Sequence, residues 1–369
     1  MPESRTYERW LDELGPCNNA ISWARFITIA NLIAFVCHIC GLIAAAAVNN
    51  DDGDFSKPSI AIYMHTINFE VTGPGTESLS PIPSPAPGVG FELKPVLVDA
   101  GFSMSLRALA MSFFGVSAFF HLVLFLDGSW YQKFYFKWLN ECIAPLRWVE
   151  YSISASIMMF TIAFAGGLKD IYLLTCVACL CFVTMCFGFV TEWLSRPDED
   201  SRERYTIRDG VAVKSIENVA LINTTGKVDW GRVQIPNANE DSELFFVGPA
   251  TKWKTRSRTR RLLPHALGYV PYLTAYGIII HSYVHNTADT NNGPPDWVTA
   301  VVFGQFALFT LFGLSQLMQQ FSDNGCENYI YWEAVYILLS IVSKMVLGLM
   351  LIFQVFAYST FEEAVSVLN

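Results

Sequence analysis

The chain has 369 residues, 52% of them hydrophobic and only 15% charged, with a positive mean hydropathy. That balance excludes an ordinary soluble multidomain protein and makes membrane spans of about 20 apolar residues the natural unit of organisation. The net charge of −9 is unevenly placed, so the overall acidity says little, and no nucleic-acid partner is expected.

Residues 1–21, "MPESRTYERW" and its continuation, contain no apolar core, so no cleavable signal peptide is visible. Apolar runs predict seven spans, at 22–48, 103–126, 142–166, 170–194, 264–286, 297–321 and 330–358. The block 22–194 thus holds helices one to four and the block 264–358 holds helices five to seven. Between the first two spans, the polar segment 49–101 contains "SIAIYMHTINFEV" (59–71) and "GVGFELKPVLV" (88–98), both strand-like in composition. The Pro/Gly/Ser-rich stretch joining them points to a β-hairpin with a long irregular tip, the alternative being a disordered loop. A second insertion, 195–263, carries "YTIRDGVAVKSI" and "ALINTTGKVDWGRVQI", also strand-like, and ends in the basic run "KWKTRSRTRR" against span five. Most of the nine cysteines lie in apolar segments, including "CHIC" (37–40) and "CVACLC" (176–181). They form no disulfide framework and read as small polarizable residues of spanning helices rather than metal ligands.

Lysine and arginine placement sets the expected orientation. Insertion 195–263 carries thirteen basic residues, and Arg5, Arg9, Lys133 and Lys137 fall on the same side. The opposite loops hold only Lys57, Lys94 and Lys169. The bias puts the N-terminus and 195–263 in the cytoplasm, and segment 49–101 and the C-terminal stretch 359–369 outside. The sequon at Asn223 would then face the cytoplasm and stay unmodified. The basic run serves either as a topology signal or as a contact for anionic membrane lipids.

Deep charges are few. Lys344 sits in the middle of span seven, and Arg147 and Glu150 lie in span three within "PLRWVEYSISAS". A charge at the bilayer centre costs roughly 2.5–3.5 kcal/mol on insertion scales, so each needs a partner or a purpose. Both helices run in the same direction, which allows Glu150 and Lys344 to meet at similar depth. Arg147 lies one turn before Glu150 on the same face, Ser154 one turn after, and Ser340 one turn before Lys344. His38 and His121 fall near the middle of spans one and two. These residues admit a structural ion pair, a transport relay, or a covalent site in which a buried amine condenses with an aldehyde and the acid balances the imine cation.

The stretches "RWVEYSISAS" in span three, "FALFTLFGLSQLMQQ" in span six, and "LLSIVSK" with "FQVFA" in span seven resemble the heliorhodopsins, retinal proteins with an inverted seven-helix topology. The cytoplasmic N-terminus and the hairpin after span one fit the same family. The resemblance implies an all-α seven-transmembrane-helix bundle with all-trans retinal on Lys344 and Glu150 as counterion. It places Tyr151 beside the counterion, Ser340 where proton pumps carry a second acid, and Phe309 or Phe312 in place of the tryptophan that sandwiches retinal. It associates His38, His121 and Arg147 with a proton network near the imine, Ser154 with the pocket, and a homodimer with the hairpin and span four.

Pumping needs an ordered chain of proton donors and acceptors. Eleven residues beyond Glu150, where pumps place a donor acid, stands Thr161, and Ser340 is uncharged. The expectation is therefore a photosensor, neither a pump nor an enzyme. The alternative is a light-gated passive proton path through the mouth carboxylates Glu192, Glu333 and Asp127, or simple solvation of those acids at the interface. Insertion 195–263 offers a docking surface for a cytoplasmic partner.

Overall fold

The computed structural model describes residues 20–48, 59–72, 90–126, 135, 138–139, 143–195, 204–208, 211–215, 244–246, 258–289, 296–321 and 325–356. Seven long helices occur among them: α1 (Ala20–Ala47), α2 (Leu106–Phe125), α3 (Pro145–Ala165), α4 (Ile171–Ser195), α5 (Arg258–Asp289), α6 (Asp296–Phe321) and α7 (Gly325–Leu351). A π-helical turn, Ile352–Phe356, extends α7. Six of the seven are long and apolar enough to cross a membrane, so the chain is an integral multi-pass membrane protein. The exception is α5, whose first turns hold Arg258, Arg260, Arg261 and His265 and whose interior holds Pro264 and Pro271.

In a bilayer every backbone group must be satisfied within the segment, which is why the apolar runs fold as continuous helices. Their starts are locally encoded. Ser105 caps α2 by accepting from Ala108 N at 3.3 Å, Pro145 occupies the first turn of α3, and Asp170 Oδ1 accepts from Leu173 N at 2.9 Å before α4. Hydroxyls inside the helices bond back to their own carbonyls, as Ser152 does to Trp148 O and Thr161 to Ile157 O. Each helix packs on its sequence neighbours, and α7 closes the ring against α1.

Strands β1 (Ser59–Thr72) and β2 (Gly90–Ser105) pair antiparallel, from Ser59 opposite Ser105 to Thr72 opposite Gly90. The second strand runs seven residues past its expected end and leads straight into α2, because "DAGFSMS" continues the pairing against 59–63. Tyr63 N donates to Lys169 O at 3.0 Å, tying the base of the hairpin to the α3–α4 turn. In the second insertion, β3 (Arg204–Arg208), β4 (Val211–Ser215) and β5 (Leu244–Phe246) form a three-stranded sheet in the order β4-β3-β5. The stretch "ALINTTGKVDWGRVQI", the hairpin tip, Asp127 and the segments 1–19 and 357–369 lie outside the described residues.

The buried apolar residues separate into two clusters. One includes Ile27 and Ala34 of α1, Leu124 of α2, Ala144 before α3, and Tyr329 and Ile337 of α7. The other takes Ala45, Phe113 and Phe114, Met158 and Met159, and Leu347 from the same four helices. On these four helices buried polar residues stand between the two clusters: His38, Ser117 with His121, Glu150, and Ser340 with Lys344. The fold therefore holds a polar layer between two clusters of buried apolar residues, which limits the access of bulk water to its charges.

Candidate functional site

The α3 residues Arg147, Glu150, Tyr151 and Ser154 follow helical spacing and all are buried. Glu150 is the centre of the polar layer. Its Oε1 accepts from Lys344 Nζ at 2.9 Å, from Ser154 Oγ at 2.9 Å and from Ser117 Oγ at 2.5 Å. Lys344 Nζ also donates to Ser340 Oγ, 2.6 Å away and one turn earlier on α7. The amine is 2% exposed and the acid 3%, so the pair is shielded from bulk solvent, and its charges are held by hydrogen bonds from three other helical positions.

Tyr151 stands beside this pair, with Lys344 Nζ 5.2 Å from its ring centre. Its hydroxyl donates to Tyr336 O at 2.8 Å, which locks the ring, and Phe312 meets it edge-on at 5.4 Å. Phe309 lies 6.4 Å from Phe312. Tyr151, Phe309 and Phe312 together with Trp148, Tyr269 and Tyr272 wall a cavity of about 70 Å³ between α3, α4, α5, α6 and α7. Gly188 and Gly313 keep that cavity open. A Cβ at Gly188 would run into the Trp148 ring, and one at Gly313 would lie 2.7 Å from the Tyr269 hydroxyl.

His38 and His121 stack with ring centres 5.2 Å apart and planes within 6°. Asn31 Nδ2 donates to Ile27 O, leaving its Oδ1 2.8 Å from His121 Nδ1. Nδ1 must therefore carry the hydrogen, and Nε2 keeps a lone pair in the neutral ring. Nε2 of His121 and Nε2 of His38 have no hydrogen-bond partner, although both are buried.

Arg147 sits apart from the histidines. Its guanidinium donates to Glu192 of α4 at 2.7 Å and to Glu333 of α7, and it lies 4.1 Å from the Tyr336 ring centre. Tyr135 OH donates to Glu333 at 3.0 Å, and Trp148 Nε1 and Tyr329 OH donate to Glu192. The expectation that Glu192 and Glu333 are solvated at the interface is thus corrected: both are 2% exposed. Their distance from mid-span made them look interfacial, but a buried arginine draws them inward. Removing that cation, as in R147L, leaves two buried acids unpaired and should destabilise the bundle by roughly 3–5 kcal/mol. Denaturant unfolding of the retinal-free protein reads this directly; unchanged stability would contradict the geometry.

Sequence reasoning missed Ser117, Asn31 and Gln305. Ser117 lies one turn before His121 on the same face of α2, a signal present in the spacing. Gln305 donates from α6 to Ser343 O at 3.0 Å, next to the lysine, and nothing local marks it.

The residues fit a retinal chromophore. Among the described residues the deeply buried lysine is matched by a carboxylate, and an aromatic-walled cavity shares Tyr151 with that pair, as an apolar conjugated aldehyde requires. No curated protein matches the chain. The Heliorhodopsin family model matches residues 88–222 and 238–357, a span that contains Glu150, Lys344 and α2 to α7. The match covers well over half of the sequence, and the chain belongs to the heliorhodopsin family.

Proposed function

We propose that the protein is a photoreceptor that holds all-trans retinal on Lys344 as a protonated Schiff base, with Glu150 as its counterion, and converts light into a conformational signal. The family is one of retinal-binding, light-sensing rhodopsins, photoreceptors rather than classical enzymes. The observation that carries the assignment to these residues is the buried Lys344–Glu150 contact at 2.9 Å. When bound, the retinal supplies visible absorption and light-driven isomerisation. The chain supplies the rest.

Glu150 holds a cation at the nitrogen of Lys344, while Ser117 and Ser154 keep the carboxylate aimed. Tyr151 fixes one wall, and Phe309 and Phe312 the other. His121 Nε2 is a buried acceptor in the same polar layer, poised to take a proton released there. Thr161 is bonded to its own helix and offers no donor acid, so we favour sensing over pumping. The basic-side bias supports a cytoplasmic N-terminus, with the hairpin outside. By family expectation the chain forms a homodimer through the hairpin and α4, and 195–263 is available to a cytoplasmic partner.

Expression with all-trans retinal, an absorption spectrum and illumination under voltage clamp test the proposal. Pigment without current supports a sensor. A current that reverses with the proton gradient favours a light-gated passive path, and a colourless protein overturns both. A narrower test is G188V. The added side chain pushes Trp148 into the cavity, so pigment yield should fall severalfold while helical content is retained. Wild-type yield would show that the chromophore lies elsewhere.

A further inference from the structure

A second cavity lies between the counterion and the Arg147 cluster. Its polar lining consists of Asn31, His121, Glu150 and Tyr151 together with Arg147 and Glu333. Its volume is about 20 Å³. One water needs roughly 10–15 Å³ and two to four polar partners; the lining is apolar at Phe120, Leu124, Leu146 and Ile337, and the polar partners come from the charged side chains and from His121 Nε2 and Arg147 Nε, both buried without a hydrogen-bond partner. Glu333 belongs to α7, as Lys344 does, and Arg147 to α3, as Glu150 does, so the cavity bridges two charged centres on the same pair of helices.

We propose that Glu333 is the far terminus of an internal, water-bridged proton path that starts at the Glu150–His121 centre, and that its protonation loosens the bond tying α7 to Arg147. The proposal rests on the photoreceptor reading above and assigns that receptor its output. The transfer is a simple proton relay. An O–H or N–H bond breaks at the inner centre, one O–H bond forms on Glu333, and no electrons change hands. Glu333 becomes neutral and the inner centre loses one positive charge.

Among the described residues the groups facing Glu333 are Arg147 and Tyr151 of α3, Tyr135 from the α2–α3 connection, Glu192 of α4, and Tyr329 and Tyr336 of its own helix. Arg147 keeps Glu192 when Glu333 is neutral, so α3 and α4 stay joined, while α7 loses its ion pair to Arg147 and is held at this end by the Tyr329–Glu192 and Tyr151–Tyr336 hydrogen bonds. The change occurs where α3 and α7 begin, the end that the basic-side bias places in the cytoplasm. It gives light absorbed at Lys344 a route to that surface without net transport across the membrane.

Light-minus-dark infrared difference spectroscopy on retinal-loaded protein tests the path. The wild type should show a protonated-carboxyl C=O band on illumination that shifts in heavy water. The band should vanish in E333Q and persist in E192Q. A band that persists in E333Q, or no carboxyl band in a wild type that is pigmented, overturns the proposal. A wild type without pigment instead contradicts the photoreceptor reading. Should E333Q fail to take up retinal, I337F, which fills the cavity while leaving Glu333 in place, should also abolish the band.

The loosening is read separately in retinal-free protein. E333Q imitates the neutral acid, so amide hydrogen exchange over 325–337 should be faster than in the wild type. Equal exchange would show that Glu333 does not hold α7.

Discussion

Lys344→Ala protein mixed with all-trans retinal is expected to show no visible absorption band at all. Among the described residues Lys344 is the deeply buried amine of the bundle, and the aromatic cavity adjoins it through Tyr151. Without the amine no imine can form, so the loss is complete rather than graded. Alanine also leaves Glu150 buried without its cation, a defect that costs roughly 3–5 kcal/mol when one member of a buried pair is removed. The double variant K344A/E150Q removes that second effect. It should be folded and still colourless, whereas a folded K344A protein with wild-type colour would contradict the assignment.

Glu150→Gln should have the next largest effect. The carboxylate oxygen that receives Lys344, Ser117 and Ser154 carries the only negative charge recorded in contact with the amine among the described residues. With glutamine there, the cation on the nitrogen loses stabilisation on the order of 3–5 kcal/mol. Two consequences follow, both read in one absorption spectrum. A larger share of the pigment is unprotonated at neutral pH and absorbs in the near ultraviolet. The remaining protonated share absorbs further to the red, because positive charge is no longer pinned at the nitrogen in the dark. Glu150→Asp keeps the charge and should stay closer to wild type. An E150Q spectrum identical to wild type would mean that another acid balances the charge.

Six of the seven expected spans were legible because each is a continuous apolar stretch with almost no charge, and a lipid environment allows such a stretch only one regular fold, whereas α5 is a long helix that is not apolar enough to qualify by composition. The depth match between Glu150 and Lys344 was legible for the same reason: two helices running in parallel and a rise of 1.5 Å per residue fix the height of each group. What surrounds that pair was less accessible. Ser117 reaches Glu150 from α2, and Gln305 reaches Ser343 from α6; both contacts depend on which helix faces are turned together, which single-helix periodicity does not report. Arg147 shows the limit best. Its position one turn from Glu150 suggested membership of the same network, but the side chain extends the other way, to Glu192 and Glu333. Those two acids looked interfacial by depth and are buried because they share that cation. The length of β2 also escaped the sequence reading, since the pairing of 98–105 with the start of β1 is a property of two strands and not of one.

The most direct test of the central claim is chemical. Purified pigment is treated in the light with borohydride, which reduces an imine to a stable amine, and the protein is digested and mapped by mass spectrometry. The account predicts a retinyl adduct on the peptide that contains Lys344 and on no other lysine. An adduct elsewhere, or a pigmented protein whose Lys344 peptide stays unmodified after the colour is discharged, would contradict it.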